Sequence, residues 1–355
     1  MEYVHYSVMQ NEVLSFLNPE DRSALLVDCT LGEGGHSNLF LRKYPNLRVI
    51  GLDRDKSILE KAKSRLAQYC DRFEARNIWF DRFWAEYDGP QVDFVLFDLG
   101  ISVFHYEESG RGFSFKRNEK LDMRLDIDSP LDAADVVNSY DEKSLADLIF
   151  NYGEERYSRR IASAICNYRQ GKRIEYTDEL ADIVWNAVPN EYRHRRIHPA
   201  TKTFQALRIE INGELDRIVP ALDGAVKALR PGGRIAVITF HSLEDRPVKW
   251  FFKDHENILE ILTKKPLEPT AEECVEPGRQ QDRTGPRRPL QKSGPVRFQY
   301  PGPHLPALHA EPAQHAAADD ADDAADVLGH EPGHVQPQPQ HPVFGRRRQC
   351  ETVIS

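Results

Sequence analysis

Four short runs of consecutive apolar residues stand out in the first 240 positions: Leu25-Leu26-Val27-Asp28, Arg48–Asp53, Phe94–Asp98 and Arg234–Phe240. Unbroken apolar runs suit strands buried on both faces, as in a parallel sheet. The first three end in an acid, and the fourth follows the turn Pro231-Gly232-Gly233. A further strand is read at Asn77–Phe80. Between the runs lie stripes at helical spacing. One is Ile58, Ala62, Leu66 and Tyr69; a longer one is Phe204, Leu207, Ile211, Leu215 and Ile218. Strand and helix in alternation predict an α/β fold with a doubly wound, mostly parallel sheet.

That rhythm stops between about Tyr106 and Pro199. Charged helical patterns take over, including Glu154–Arg169 with Ile161, Ile165 and Tyr168 inward. A second pattern carries Leu180, Ile183, Val184 and Val188, with Thr177 as its N-cap. This stretch reads as a helical insertion. The chain changes again after about residue 265: fourteen of the 23 prolines lie at or after Pro266, and no apolar period persists. Such a segment buries too little apolar surface to offset its ordering entropy. The expected organisation is a sheet domain over 1–105 and 200–265, an insertion over 106–199, and a low-complexity, disordered tail over 266–355.

Composition narrows the class. The 355 residues are 40% hydrophobic and 29% charged, an ordinary globular mixture. No apolar run reaches the ~18–20 residues of a spanning helix, so no membrane role is expected. Met1–Val8 shows no signal-peptide pattern. Five scattered cysteines without a CxxC argue against a disulfide framework and a metal site, and fit a reducing cytoplasm. The net charge of −9 opposes a general nucleic-acid coat protein but leaves room for local basic patches.

The first chemical signal is Asp28-Cys29-Thr30-Leu31-Gly32-Glu33-Gly34-Gly35-His36. A strand ends, and a glycine-rich turn opens a helix whose amides face a ligand. Asp53 follows 21 residues after Gly32, where an acid accepts hydrogen bonds from ribose hydroxyls. A dinucleotide site would want a third glycine, and Ser37 stands there. A ligand-free tight turn is the bland reading, weakened by two further strand-end acids, Asp53 and Asp98. His36 reads as a shaping contact more than a base. Phe83 reads either as a cover for an adenine ring or as core.

Several blocks in order then carry a resemblance. They include Asp28-x-Thr30-x-Gly32-x-Gly34-Gly35-His36, Asp53-Arg54-Asp55, Asp98-Leu99-Gly100-Ile101-Ser102 and Arg111-Gly112-Phe113-Ser114-Phe115. Leu121-Asp122-Met123-Arg124, Tyr152-Gly153-Glu154-Glu155-Arg156, His198–Arg208 and Phe240–Arg246 continue the series. From about His5 to Phe252 the chain resembles the bacterial 16S rRNA (cytosine-N4)-methyltransferases. The resemblance implies a Rossmann-like class I fold, S-adenosylmethionine as methyl donor, and a cytidine in the decoding region of 16S rRNA, met within the small ribosomal subunit. It implies that Gly34, Gly35 and His36 contact the donor, that Asp53 holds its ribose, and that Phe83 and Asp98 line the site. His105 stands where the family usually places a glutamine. The family's closing strand segment is not recognisable here; Ser293–Phe298 is a poor stand-in. A lineage-specific tail and a shifted reading frame near Glu276 both explain this, and the abrupt loss of pattern favours the frame shift. An unpaired sheet edge would follow.

Asp98 is the candidate catalytic acceptor: bonded to an N4 hydrogen, it would localise the amino lone pair. Holding the donor's amino acid part is its alternative role. Arg111, Phe113 and Arg124 form one candidate RNA group, with Lys116 and Arg117 beside them. Arg193, Arg195, Arg196 and Lys202, interleaved with Tyr192, form another. Two other classes stay open, a non-catalytic RNA-binding or assembly protein and a nicotinamide-dependent dehydrogenase. A hydrolase triad is opposed by the lack of a G-x-S-x-G elbow.

Overall fold

The computed structural model describes residues 7–263, 266–267 and, as backbone, 351–354. The elements run in the order α1 (Gln10–Phe16), β1 (Ala24–Asp28), α2 (Gly35–Lys43), β2 (Leu47–Asp53), α3 (Lys56–Leu66), β3 (Phe73–Asn77), α4 (Phe80–Glu86) and β4 (Val92–Asp98). The helical segment follows as α5 (Val103–Glu107), α6 (Ala133–Ser139), α7 (Glu142–Gly153), α8 (Ser158–Arg169), α9 (Thr177–Ala187), α10 (Asn190–Arg193) and α11 (Ala200–Asn212). The chain returns to the sheet through α12 (Ile218–Ala228), β5 (Leu229–Ile238) and α13 (Ser242–Asp254), and β6 (Glu351–Ile354) closes it.

All strands pair parallel in the order β3-β2-β1-β4-β5-β6. The order reverses between β1 and β4, and the crevice beyond the carboxyl ends of those strands is where such sheets bind ligands. Apolar residues on both sheet faces explain the unbroken runs. Phe83, Trp84, Val95, Phe97 and Val237 pack in one cluster, while Leu26, Val49, Phe94 and Leu96 pack in the other.

Several sequence expectations are corrected. The third strand is Phe73–Asn77, and Phe80 already opens α4. The long stripe after Phe204 is two helices, because Gly213 adopts φ 58° and ends α11. Helix α8 starts at Ser158, since Glu154 takes a left-handed φ of 48° and ends α7. Tyr168 is exposed, not inward. Tyr176 occupies the N-cap position of α9. Thr177, one residue inside, instead accepts from the Glu119 amide at 3.1 Å and donates to the Arg117 carbonyl at 2.8 Å.

The helical cluster centred on Met123, Leu145, Ile149, Ile161 and Val184 runs on through Phe204 and Leu207 of α11. The helical body therefore passes the expected boundary at 199. The edge beside β5, expected to be bare, is paired by Glu351–Ile354, with Arg234 opposite Glu351 and Val237 opposite Ile354. Ser293–Phe298 and nearly all of the expected tail lie outside the described residues. Among the described residues no helix is long and apolar enough to cross a membrane.

Candidate active site

Strand register sets the site. Asp28 ends β1 opposite Gly51 of β2 and Leu96 of β4, so Asp53 and Asp98 each reach two residues further on either side of it. Between them the chain leaves β1 through Cys29–Gly34. Gly32 and Gly34 take φ of 54° and 76°, values that side-chain-bearing residues rarely adopt. Asp28 is buried, and burial raises its carboxyl; Ser37 donates to it at 2.7 Å and the Thr30 amide at 3.3 Å. Ser37 thus anchors the turn to the sheet in the place where a dinucleotide pattern would have its third glycine.

Asp53 is half-buried and accepts from the Gly32 amide at 2.9 Å and the Asp55 amide at 2.9 Å. Burial pushes its pKa up to about 6. Asp98 is held through its own amide, which donates to Thr30 Oγ1 at 2.6 Å. Its Oδ2 lies 3.6 Å from His36 Nε2, and its Oδ1 is buried with no hydrogen-bond partner. Both ring nitrogens of His36 are likewise buried and unpartnered. Helix α2 has Gly34 as its N-cap residue and no side-chain cap, so its first-turn amides keep donors for an anion.

These features fit S-adenosylmethionine. Asp53 suits the ribose hydroxyls and the α2 amides suit a carboxylate, which leaves the orphaned Asp98 oxygen able to accept a further hydrogen bond. Gly34, Gly35, His36, Asp53 and Asp98 therefore lie at and just beyond the carboxyl ends of β1, β2 and β4.

Phe83 does not join them. It is 2% exposed and packs on Trp84 and Tyr87, with ring centroids 5.0 and 5.2 Å away. The aromatic nearer the strand end is Phe80, partly exposed three residues after β3 and edge-on to Phe97. A helix-period reading would have moved the choice by one turn. His105 is buried, and its Nε2 lies 2.9 Å from Asp55 Oδ2, an oxygen that also receives the Arg111 guanidinium. Only Nδ1 of His105 lacks a partner.

The first candidate RNA group is used up internally. Arg111 binds Asp55 and, at 2.7 Å, the Arg124 carbonyl. Arg124 grips both oxygens of Asp122 and the Ser129 carbonyl. Phe113 is 4% exposed and packs on His105 at 5.3 Å. In the second group, Arg193 binds the Asn186 and Val188 carbonyls, and Lys202 binds the Glu154 carbonyl at 2.7 Å. Arg195 and Arg196 remain exposed.

Arg195 lies 4.9 Å over the Tyr192 ring, and Arg156 lies over both Tyr192 and Tyr157. Arg160 joins them over Tyr157. Arg156, the last residue of the Tyr152–Arg156 block, and Arg160 carry no RNA-contact signal in the sequence. They sit 36 and 32 residues before Tyr192, and only the helical packing unites them.

The family model for the MraW methylase family matches residues 2–282. The chain belongs to this family. Its match exceeds the span recognised from motifs and ends close to where the chain turns proline-rich. "Ribosomal RNA small subunit methyltransferase H" of Treponema denticola is 52% identical over 292 residues, covering 77% of this chain and 93% of the relative. Proteins of the same name from Borrelia turicatae and Persephonella marina are each 48% identical. They cover 76% and 77% of this chain and 92% and 94% of their own lengths. The chain thus spans nearly the whole length of these relatives.

Proposed function

We propose that this chain transfers a methyl group from S-adenosylmethionine to the exocyclic N4 of a cytidine in the decoding region of 16S rRNA, in the cytoplasm. We place the target within the small ribosomal subunit. The observation that carries the reading is the orphaned, buried Oδ1 of Asp98, at the carboxyl end of β4 and next to the glycine-rich turn.

The bound donor supplies an electrophilic sulfonium methyl, so the protein's work is alignment and electrostatics. Asp53 orients the ribose from the β2 side. The uncapped amides of α2 hold the carboxylate end. Cytosine N4 is a poor nucleophile because its lone pair is delocalised into the ring. Asp98 accepts a hydrogen bond from an N4 hydrogen, turning the lone pair toward the methyl, and His36 beside it shapes the acceptor. The base has to leave its stack to reach this depth. The exposed arginines 156, 160, 195 and 196 hold RNA phosphates, and the tyrosine pair beneath fixes their positions.

Two measurements test the reading. In a thermal-shift comparison, S-adenosylmethionine stabilises the protein and NAD does not. With labelled donor, small subunits lacking the modification acquire label; equal stabilisation by NAD with no transfer would favour the dehydrogenase reading. Stabilisation by the donor without any transfer would favour a binding protein.

A further inference from the structure

Phe240 is the second residue beyond Ile238, which pairs with Asp98 across β4 and β5. It is 57% exposed, although it follows a strand whose final four residues are all buried. Its ring lies against the turn that leaves Asp98. A Cβ built on Gly100 would sit 3.4 Å from Phe240 Cδ2, and Gly100 itself takes φ 90°. The Leu99 amide, between Asp98 and Gly100, donates to the Ile238 carbonyl at 3.0 Å. The two strand ends are therefore tied together at the turn against which the ring lies.

The backbone carrying this exposed ring is held firmly. The Phe240 amide donates to Glu244 Oε2 at 2.8 Å, and Glu244 is 2% exposed. His241 Nε2 lies 3.3 Å from the other Glu244 oxygen. Arg208, buried and chelated by both oxygens of Glu214, adds its charge behind this carboxyl and binds the Tyr106 hydroxyl at 2.7 Å. A buried acid and a buried arginine are costly ways to support a surface loop whose ring gains little burial. The turn after Asp98, Leu99–Ser102, contains no aromatic residue, and the next one, Phe104, is buried.

We propose that Phe240 is the stacking platform for the target cytosine, placing the base face beside Asp98. This rests on the N4-methylation reading above and adds the residue that receives the extruded base. An aromatic ring suits that task because every base offers a π-face.

The test compares Phe240→Leu, Phe240→Trp and the wild type on unmodified small subunits, reading kcat/KM for formation of N4-methylcytidine. Donor affinity and Tm are measured in parallel. Leucine keeps apolar bulk but has no π-face, and Phe240→Leu is expected to lose about 10- to 100-fold in kcat/KM. Phe240→Trp stays within a few-fold of wild type, and neither variant moves donor affinity or Tm. Full activity of Phe240→Leu beside a wild type that makes N4-methylcytidine overturns the stacking role alone. Equal loss in both variants also overturns it. A wild type that makes no N4-methylcytidine overturns the reaction assigned above, and this role with it.

Discussion

Asp55 Oδ2 lies 2.9 Å from His105 Nε2, inside a buried junction that no single sequence block announces. Asp55 also caps α3 by accepting from the Ser57 amide at 2.8 Å, and it receives the Arg111 guanidinium. Burial alone would raise its carboxyl. The hydrogen bonds from His105, Ser57 and Arg111 outweigh that and hold it well below the usual carboxylate range. A carboxyl depressed on folding contributes stability above its unfolded value of about 3.9, lost as pH falls through and below that value. Asp55→Ala strands the buried His105 and the half-buried Arg111 and removes a cap. It should cost about 3–5 kcal/mol in urea unfolding at pH 7. A loss of about 1 kcal/mol or less would mean that the junction is not a structural hub.

The ribose acid gives a pH signature. With Asp53 raised to about 6 by burial, its ionised form dominates at pH 7.5 and its neutral form at pH 5. Donor affinity, read by calorimetry, should weaken as pH drops through about 6, approaching tenfold per unit below it. Asp53→Asn should bind weakly at both ends and remove the inflection. An inflection that survives in the variant would assign the titration to another group.

The two arginine sets should separate by readout. Arg111→Ala and Arg124→Ala are expected to lower Tm by several degrees, because the first takes a guanidinium from the buried Asp55 and the second removes the partner of the half-buried Asp122 side chain and Ser129 carbonyl. Reversing Arg195 and Arg196 to Glu is expected to leave Tm within a degree or so while reducing rRNA affinity and its salt slope by about one to two charges. An unchanged salt slope would remove these residues from the RNA surface.

Much of this frame is legible in the chain because buried parallel strands are written as unbroken apolar runs, and three of them end in Asp28, Asp53 and Asp98. The glycine turn is equally local. The misreadings come from tertiary context. Phe80 and Phe83 are one helical turn apart, and only packing shows that Phe83 faces the core. Arg111 and Arg124 look like phosphate contacts until Asp55 and Asp122 appear beside them. The partners of Arg111 lie 56 and 13 residues away, beyond any local pattern. Gly213 looks like one tolerated glycine in a long stripe, yet it ends α11. The strand at the β5 edge comes from Glu351–Ile354, past a stretch whose composition carries no strand signal.

Glu244 offers a stability test of the support beneath Phe240. Burial pushes this carboxyl up to about 7, while an unfolded Glu titrates near 4.3. A raised acid favours the folded state at low pH and loses that contribution as pH rises through about 7. Glu244→Gln, which keeps an acceptor for the Phe240 amide, should stabilise the protein by about 1–3 kcal/mol at pH 8.5 and change little at pH 5. His241 is pushed down to about 4 by burial first and by the Arg208 charge, so it stays neutral across this window. Destabilisation of the variant at pH 8.5 would show that the charged carboxylate is needed.

Everything proposed for the site turns on cytosine N4 being methylated beside Asp98. The most direct measurement is nucleoside mass spectrometry of rRNA from small subunits lacking the modification, after incubation with the full chain and isotopically labelled S-adenosylmethionine. Wild type is expected to form labelled N4-methylcytidine, and Asp98→Ala to lose about 100-fold or more in single-turnover rate at a donor affinity that remains measurable. Label on carbon 5 of the base or on a ribose, or N4 label formed at an undiminished rate by Asp98→Ala, would contradict methylation of N4 beside Asp98.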